Sequence, residues 1–164
     1  MRKPLLASLV LSILAAAAVI PAVAAPTPVT SASHSVVVEV KEIHSIAIRG
    51  GNVSLVITAA AAGEAPAPVT DTSTALSYTI NSNAPKKITA QLDRAYPDGV
   101  QLQVSVSDPH ATGTQKLGTT AVDVMTNLAK VANPTAALAY TASAAAGSGE
   151  LNETRTVTYT IVEN

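Results

Sequence analysis

GVQLQVSVS, residues 99–107, decides the fold class. Val100, Leu102, Val104 and Val106 alternate with Gln101, Gln103 and Ser105. Successive side chains of a strand point to opposite faces, so this stretch predicts a strand with one dry face and one wet face. A Pro-Asp-Gly turn precedes it and an Asp-Pro step follows it, which punctuates both ends. A half-buried strand needs neighbours that cover its dry side, and most other readable segments follow the same rule.

Upstream, Val36–Lys41 places Val36, Val38 and Val40 on one face and Glu39 and Lys41 on the other. Glu42–Arg49 and Asn52–Thr58 flank Gly50-Gly51, a pair suited to a tight hairpin that would bring Ile46 and Ile48 beside Val53, Leu55 and Ile57. Ala59–Thr74 lacks any period and contains two prolines, so it reads as a long loop crossing between sheets. Strand pattern returns at Ala75–Asn81, with Leu76, Tyr78 and Ile80 inward, and at Lys87–Leu92, with Ile88, Ala90 and Leu92 inward.

Downstream, Lys116–Leu128 reads two ways. Val122, Val124, Thr126 and Leu128 fit a strand, whereas Ala121, Val124, Met125 and Leu128 fit a helix face. The Thr- and Val-rich start favours a strand over Thr119–Val124 and then a turn. A last hairpin is expected between Ala136–Ala142 and Val157–Ile161, joined by the polar loop Ala145–Thr154. About eight short strands with turn chemistry between them argue for an all-β, immunoglobulin-like antiparallel β-sandwich, and a closed barrel is the alternative.

The N-terminus has a different character. Arg2 and Lys3 precede an apolar run, Leu5–Ile20, which ends at Pro21 and Ala22-Val23-Ala24. A charged start, an apolar middle and an A-x-A end are the parts of a cleaved signal peptide, residues 1–24. The run is also shorter than the roughly 20 residues of a membrane span. An extended Pro/Ser/Thr-rich leader, residues 25–35, and one β-sandwich domain, residues 36–164, would follow. The expected destination is secreted, periplasmic or cell-surface. Of ten basic and eleven acidic residues, removal of Arg2 and Lys3 leaves eight against eleven. Lys86-Lys87 is then the only basic pair, read as a solvated strand end, so no basic cluster tracks a phosphate backbone and nucleic acid is not an expected partner.

The chain has no cysteine, which excludes disulfides and thiolate metal sites. It has no Phe or Trp and four Tyr, so its core must be built from small aliphatic side chains in close contact.

Catalytic chemistry has few candidates. His34 falls in the leader, His44 reads as outward-facing between Ile43 and Ser45, and His110 sits in a turn. No serine occupies a G-x-S-x-G elbow. Asp93, Asp98 and Asp108 lie near the ends of the 99–107 strand and could offer oxygen ligands to calcium, although their spacing is that of turn chemistry. Asn52-Val53-Ser54 and Asn152-Glu153-Thr154 match the glycan-acceptor pattern without any sign of a pathway that would use it. Tyr78, Tyr140 and Tyr159 fall on inward phases, which leaves Tyr96 as the exposed aromatic. These readings assign no catalytic, cofactor-binding or metal-ligating residue and no cofactor.

The succession EIHSIAIRGGNVSLVI, KKITAQLD, GTTAVDVMT and ETRTVTYTI resembles a loose group of secreted bacterial β-sandwich proteins of no settled function, in the general style of fimbrial or surface-coat subunits. The signs of export, the all-β pattern and the lack of catalytic groups point to a non-enzymatic structural or surface-interaction protein, for instance a subunit of an extracellular assembly. The resemblance assigns no functional residue. The alternative is a small extracellular carbohydrate- or calcium-binding module. Val36–Lys41, behind its Pro-rich leader, is expected to close its own sandwich as the first strand, and the alternative is self-association through addition of this strand to the sheet edge of another subunit.

Overall fold

The computed structural model describes residues 30–164. The expected signal peptide and the start of the leader lie outside the described residues. Glu39–Asn164 forms one compact unit. Thr30–Val38, the described part of the preceding unit, is exposed and carries no secondary structure.

The compact unit is all-β and sandwich-like, with two antiparallel sheets. Its strands are β1 (His44–Arg49), β2 (Val69–Ile80), β3 (Lys86–Leu92), β4 (Val100–Ser107), β5 (Gln115–Lys116), β6 (Val122–Leu128), β7 (Val131–Ala144) and β8 (Val157–Glu163). One sheet runs β1-β2-β7-β4-β5 and the other β6-β3-β8. β1 lies against β8, and β4 and β5 lie against β6. Among the described residues no helix is long and apolar enough to cross a membrane.

The dry face of 99–107 is as expected: Leu102, Val104 and Val106 are buried. The spine of the larger sheet, however, is β7, which pairs with β2 over most of its length and with β4 from Ala137 to Ala144. Pro134 is tolerated there because it sits in a register shift and lies beyond the last β4 partner, Ala137. The Asn133 side chain takes up the neighbouring Thr135 amide at 2.9 Å. A second shift falls between Asp71 and Thr74 of β2, where Asp71 accepts from the amide and hydroxyl of Ser73. Gly50 packs against this bulge with φ +100, and a Cβ there would stand 2.9 Å from the Ser73 carbonyl oxygen.

The core joins Leu76, Tyr78 and Ile80 of β2 to Ile88, Ala90 and Leu92 of β3, Val124, Met125 and Leu128 of β6, and Ala136, Leu138 and Tyr140 of β7. Ala90 and Ala136 are fully buried, so the sheets approach closely where bulky side chains are missing.

Several sequence expectations are corrected. Val36–Lys41 forms no strand, and its valines are 72–90 % exposed. β propensity alone does not make a strand without a ladder partner. Asn52–Thr58 is likewise not a strand, because the ladder partner of β1 is β2, from His44↔Ile80 to Arg49↔Ala75. Its alternation survives as burial: Val53, Leu55 and Ile57 are half-buried while Asn52, Ser54, Val56 and Thr58 are exposed. Residues 69–74 belong to β2 rather than to a loop, the bulge having disguised their period. The 116–128 region is a strand, set later than expected at Val122–Leu128. β7 and β8 form no hairpin. They lie in different sheets, and their inward faces meet across the sandwich, where the Tyr140 and Tyr159 hydroxyls are 2.7 Å apart.

Candidate functional site

The histidines do not assemble a catalytic group. His34 is exposed, and the amide of His110 caps Asp108 in a turn. His44 shares the phase of Ile46 and Ile48, opposite buried Ile80, instead of pointing outward. Lying at the open end of the strand, it reaches solvent and pairs through Nε2 with Glu42 at 3.0 Å. The aspartates serve structure. Asp108 Oδ2 accepts from the Tyr78 hydroxyl at 2.9 Å and from the Asn133 amide at 2.7 Å, tying β2, β4 and β7 together. Burial first, and then this carboxylate, push the Tyr78 phenol well above its usual pKa. Asp93 accepts from the backbone of Thr156 and Arg94, which lowers its pKa. Among the described residues no group of three His, Asp or Glu is placed to hold a metal ion. Tyr96 is only half-exposed, because Arg155 lies 4.9 Å above its ring.

Lys86 was legible and missed. It shares the inward phase of Ile88, Ala90 and Leu92, and the structure buries it to 5 % exposure instead of leaving it a solvated strand end. Its ammonium is met by Glu163 and, at 3.2 Å, by Glu42. The hydrogen bond that Lys86 donates to Glu163 leads in raising the Lys86 pKa, with the one to Glu42 adding to it, while Ser82 and Lys86 lower that of Glu42. A lysine held protonated in this way is a clamp and not a base. Asn81 completes the clamp: its backbone amide donates to the Ile43 carbonyl, and its side chain accepts from the Ile43 amide and donates to the Lys41 carbonyl. The backbone of Lys41 and Ile43 is therefore tied to the residue that follows β2.

Sheet edges are the remaining chemistry. The outer edge of β6 is covered by His110–Thr112, through Thr112 N–H to Val124 O, Thr126 N–H to His110 O and the Ala111↔Met125 bridge. β5 is two residues long and carries Lys116, a blunted edge. Among the described residues, β1 and β8 each have one ladder partner and one side without a partner strand. Every residue of β3 that faces the core is buried, yet Val157, Tyr159 and Ile161 of β8 are only half-buried. Across from them, Ile46 is half-buried and Ile48 is 47 % exposed. Unpaired backbone beside half-covered apolar side chains is a template for an added strand.

Comparison of the chain with known proteins finds no matching family model, no matching curated protein and no matching solved structure.

Proposed function

We propose that the protein is a secreted, non-enzymatic structural subunit of a periplasmic or cell-surface assembly, joined to further copies by strand addition. One observation supports this reading: Val36, Val37, Val38 and Val40 stand 72–90 % exposed in a valine-rich segment that has no ladder partner among the described residues. Such a segment is costly to leave in water, at roughly 25 cal/mol per Å² of apolar surface. Its backbone is equally ready to pair.

The finer fold is an immunoglobulin-like sandwich. In that architecture a sheet of strands A-B-E-D opposes a sheet containing C-F-G. The order β1-β2-β7-β4 matches A-B-E-D in both space and chain sequence, and β3-β8 matches C-F. β5 and β6 are insertions between D and E, and no strand among the described residues takes the place of G. A carbohydrate- or calcium-binding module finds less support. Asp93 and Asp108 are taken up by internal hydrogen bonds, and the Tyr96 ring is covered by a guanidinium.

The test combines mass spectrometry and electron microscopy of exported protein. The expected result is an N-terminus at Ala25 and multi-subunit particles or filaments, lost on deletion of residues 25–41 while the strand signal in circular dichroism remains. Retention of residues 1–24 would contradict the localisation. A deletion variant that still assembles would contradict the role of the leader.

A further inference from the structure

We infer that the free edge of β8 is the acceptor for the Val36–Lys41 segment of a second copy of this chain, an assignment that rests on the strand-addition reading. The four sheet edges are not equivalent. Those of β6 and β5 are covered or too short. A strand added outside β1 would give six strands facing three, and its inward side chains would find no opposing sheet. A strand added outside β8 would bring the smaller sheet to four. There its inward side chains would meet Val157, Tyr159 and Ile161 along β8 and Ile46 and Ile48 of β1, apolar groups that all keep some exposure, Ile48 the most at 47 %. The segment suits that seat: Val36, Val38 and Val40 supply one apolar face, and Glu39 and Lys41 supply the solvent face. β8 is seven residues long, enough to pair with the whole of it.

The donor is assigned to another copy. Only Glu42 and Ile43 separate Lys41 from the start of β1, and Asn81 bonds to the backbone of Lys41 and Ile43. A connection this short joins neighbouring strands of one sheet, about 4.8 Å apart, more readily than it crosses to an opposing sheet about 10 Å away. One copy's clamp thus projects the donor, and the next copy's β8 receives it. Donor and acceptor are different segments of the chain, so the same contact serves a reciprocally exchanged two-fold dimer and a head-to-tail chain of subunits, and the mass of the assembly separates the two.

The cysteine-free sequence makes the test direct. Full chains are prepared with single substitutions at exposed positions: Glu39→Cys on the donor and, separately, Thr160→Cys on β8, Ala47→Cys on β1 and Ser54→Cys on the unpaired 52–58 stretch. Each acceptor variant is mixed with the donor variant and treated with a short flexible bismaleimide, which tolerates uncertainty in register. Neighbours held in an assembly meet at millimolar effective concentration against micromolar in free solution, so yields should differ on the order of a hundredfold or more. Selective cross-linking of Glu39→Cys to Thr160→Cys supports the assignment. Selective cross-linking to Ala47→Cys or Ser54→Cys overturns the β8 acceptor and leaves strand addition standing. No cross-link at any position, with monomers by light scattering, overturns both.

Discussion

Replacing Tyr159 with Phe, Tyr140 with Phe, and both together should give costs that do not add. Tyr140 comes from β7 in the larger sheet and Tyr159 from β8 in the smaller one, and their hydroxyls meet at 2.7 Å across the sandwich. Tyr140 is 7 % exposed and Tyr159 half-buried. Burial is the leading cause raising both phenol pKa values, as expected for hydroxyls withdrawn from water. Removing one hydroxyl strands the other, and an unsatisfied buried polar group costs about 1–3 kcal/mol. Because Tyr159 keeps some contact with solvent, about 1–2 kcal/mol is expected for each single variant. The double variant replaces both partners with apolar rings of the same shape and should cost less than about 1 kcal/mol, so the coupling is about −1 to −3 kcal/mol. Urea denaturation followed by far-UV circular dichroism reads these differences, with the denaturant slope unchanged. Additive costs, or two neutral single variants, would mean that each phenol is hydrated by itself and that the sheets do not close over the pair.

Leu102→Asp buries an unpaired carboxylate and should cost several kcal/mol, a large share of a typical stability of about 5–15 kcal/mol. Gln103→Asp, on the opposite face and facing Lys116 across the ladder, should cost less than about 0.5 kcal/mol, so equal melting temperatures would refute the assigned faces. At alkaline pH the phenols of Tyr78, Tyr140 and Tyr159 are raised from an ordinary 10.0, so their stabilisation is complete below pH 10 and is lost as pH rises beyond it. Lys86, raised from 10.5, works in the same direction. Tyrosinate absorbance of these three should therefore appear together with the loss of circular dichroism, and their ionisation in a folded chain would contradict the buried placement. At acid pH, Glu42 and Asp93 are depressed from 4.5 and 3.8. They stabilise above those values, and stability should fall as pH drops below them, with Glu42→Gln flattening the dependence.

Period-2 patterning carried most of the fold. It identified the dry faces of β2, β3, β4 and β8, and with them Leu76, Ile88, Leu102 and Tyr159 as inward residues. Pairing was less legible, because alternation fixes which face a residue takes and not which strand lies beside it. The apolar phases of β7 and β8 look alike whether the two strands share a ladder or face each other, and only the structure separates the cases. The bulge at Asp71–Thr74 broke the period of β2 and hid its first half. The opposite error arose at Asn52–Thr58, where the alternation is real and reports half-burial without a partner. Within the candidate site, the exposed alternating valines were visible in the sequence, whereas the free β8 edge was not, since an edge is a property of sheet order. The inward phase of Lys86, two residues before Ile88 on the same face, was readable, whereas its partners Glu42 and Glu163 come from distant segments and were not.

The central claim is that the valine face of Val36–Lys41 joins subunits, and light scattering after size-exclusion chromatography of the exported chain tests it most directly. The comparison is between the native protein and a variant carrying Val36→Ser, Val38→Ser and Val40→Ser, three positions outside the buried core. The account predicts a concentration-dependent multimer for the native chain and a folded monomer with unchanged circular dichroism for the variant. A native chain that stays monomeric at high concentration, or a variant that assembles to the same mass, would contradict it.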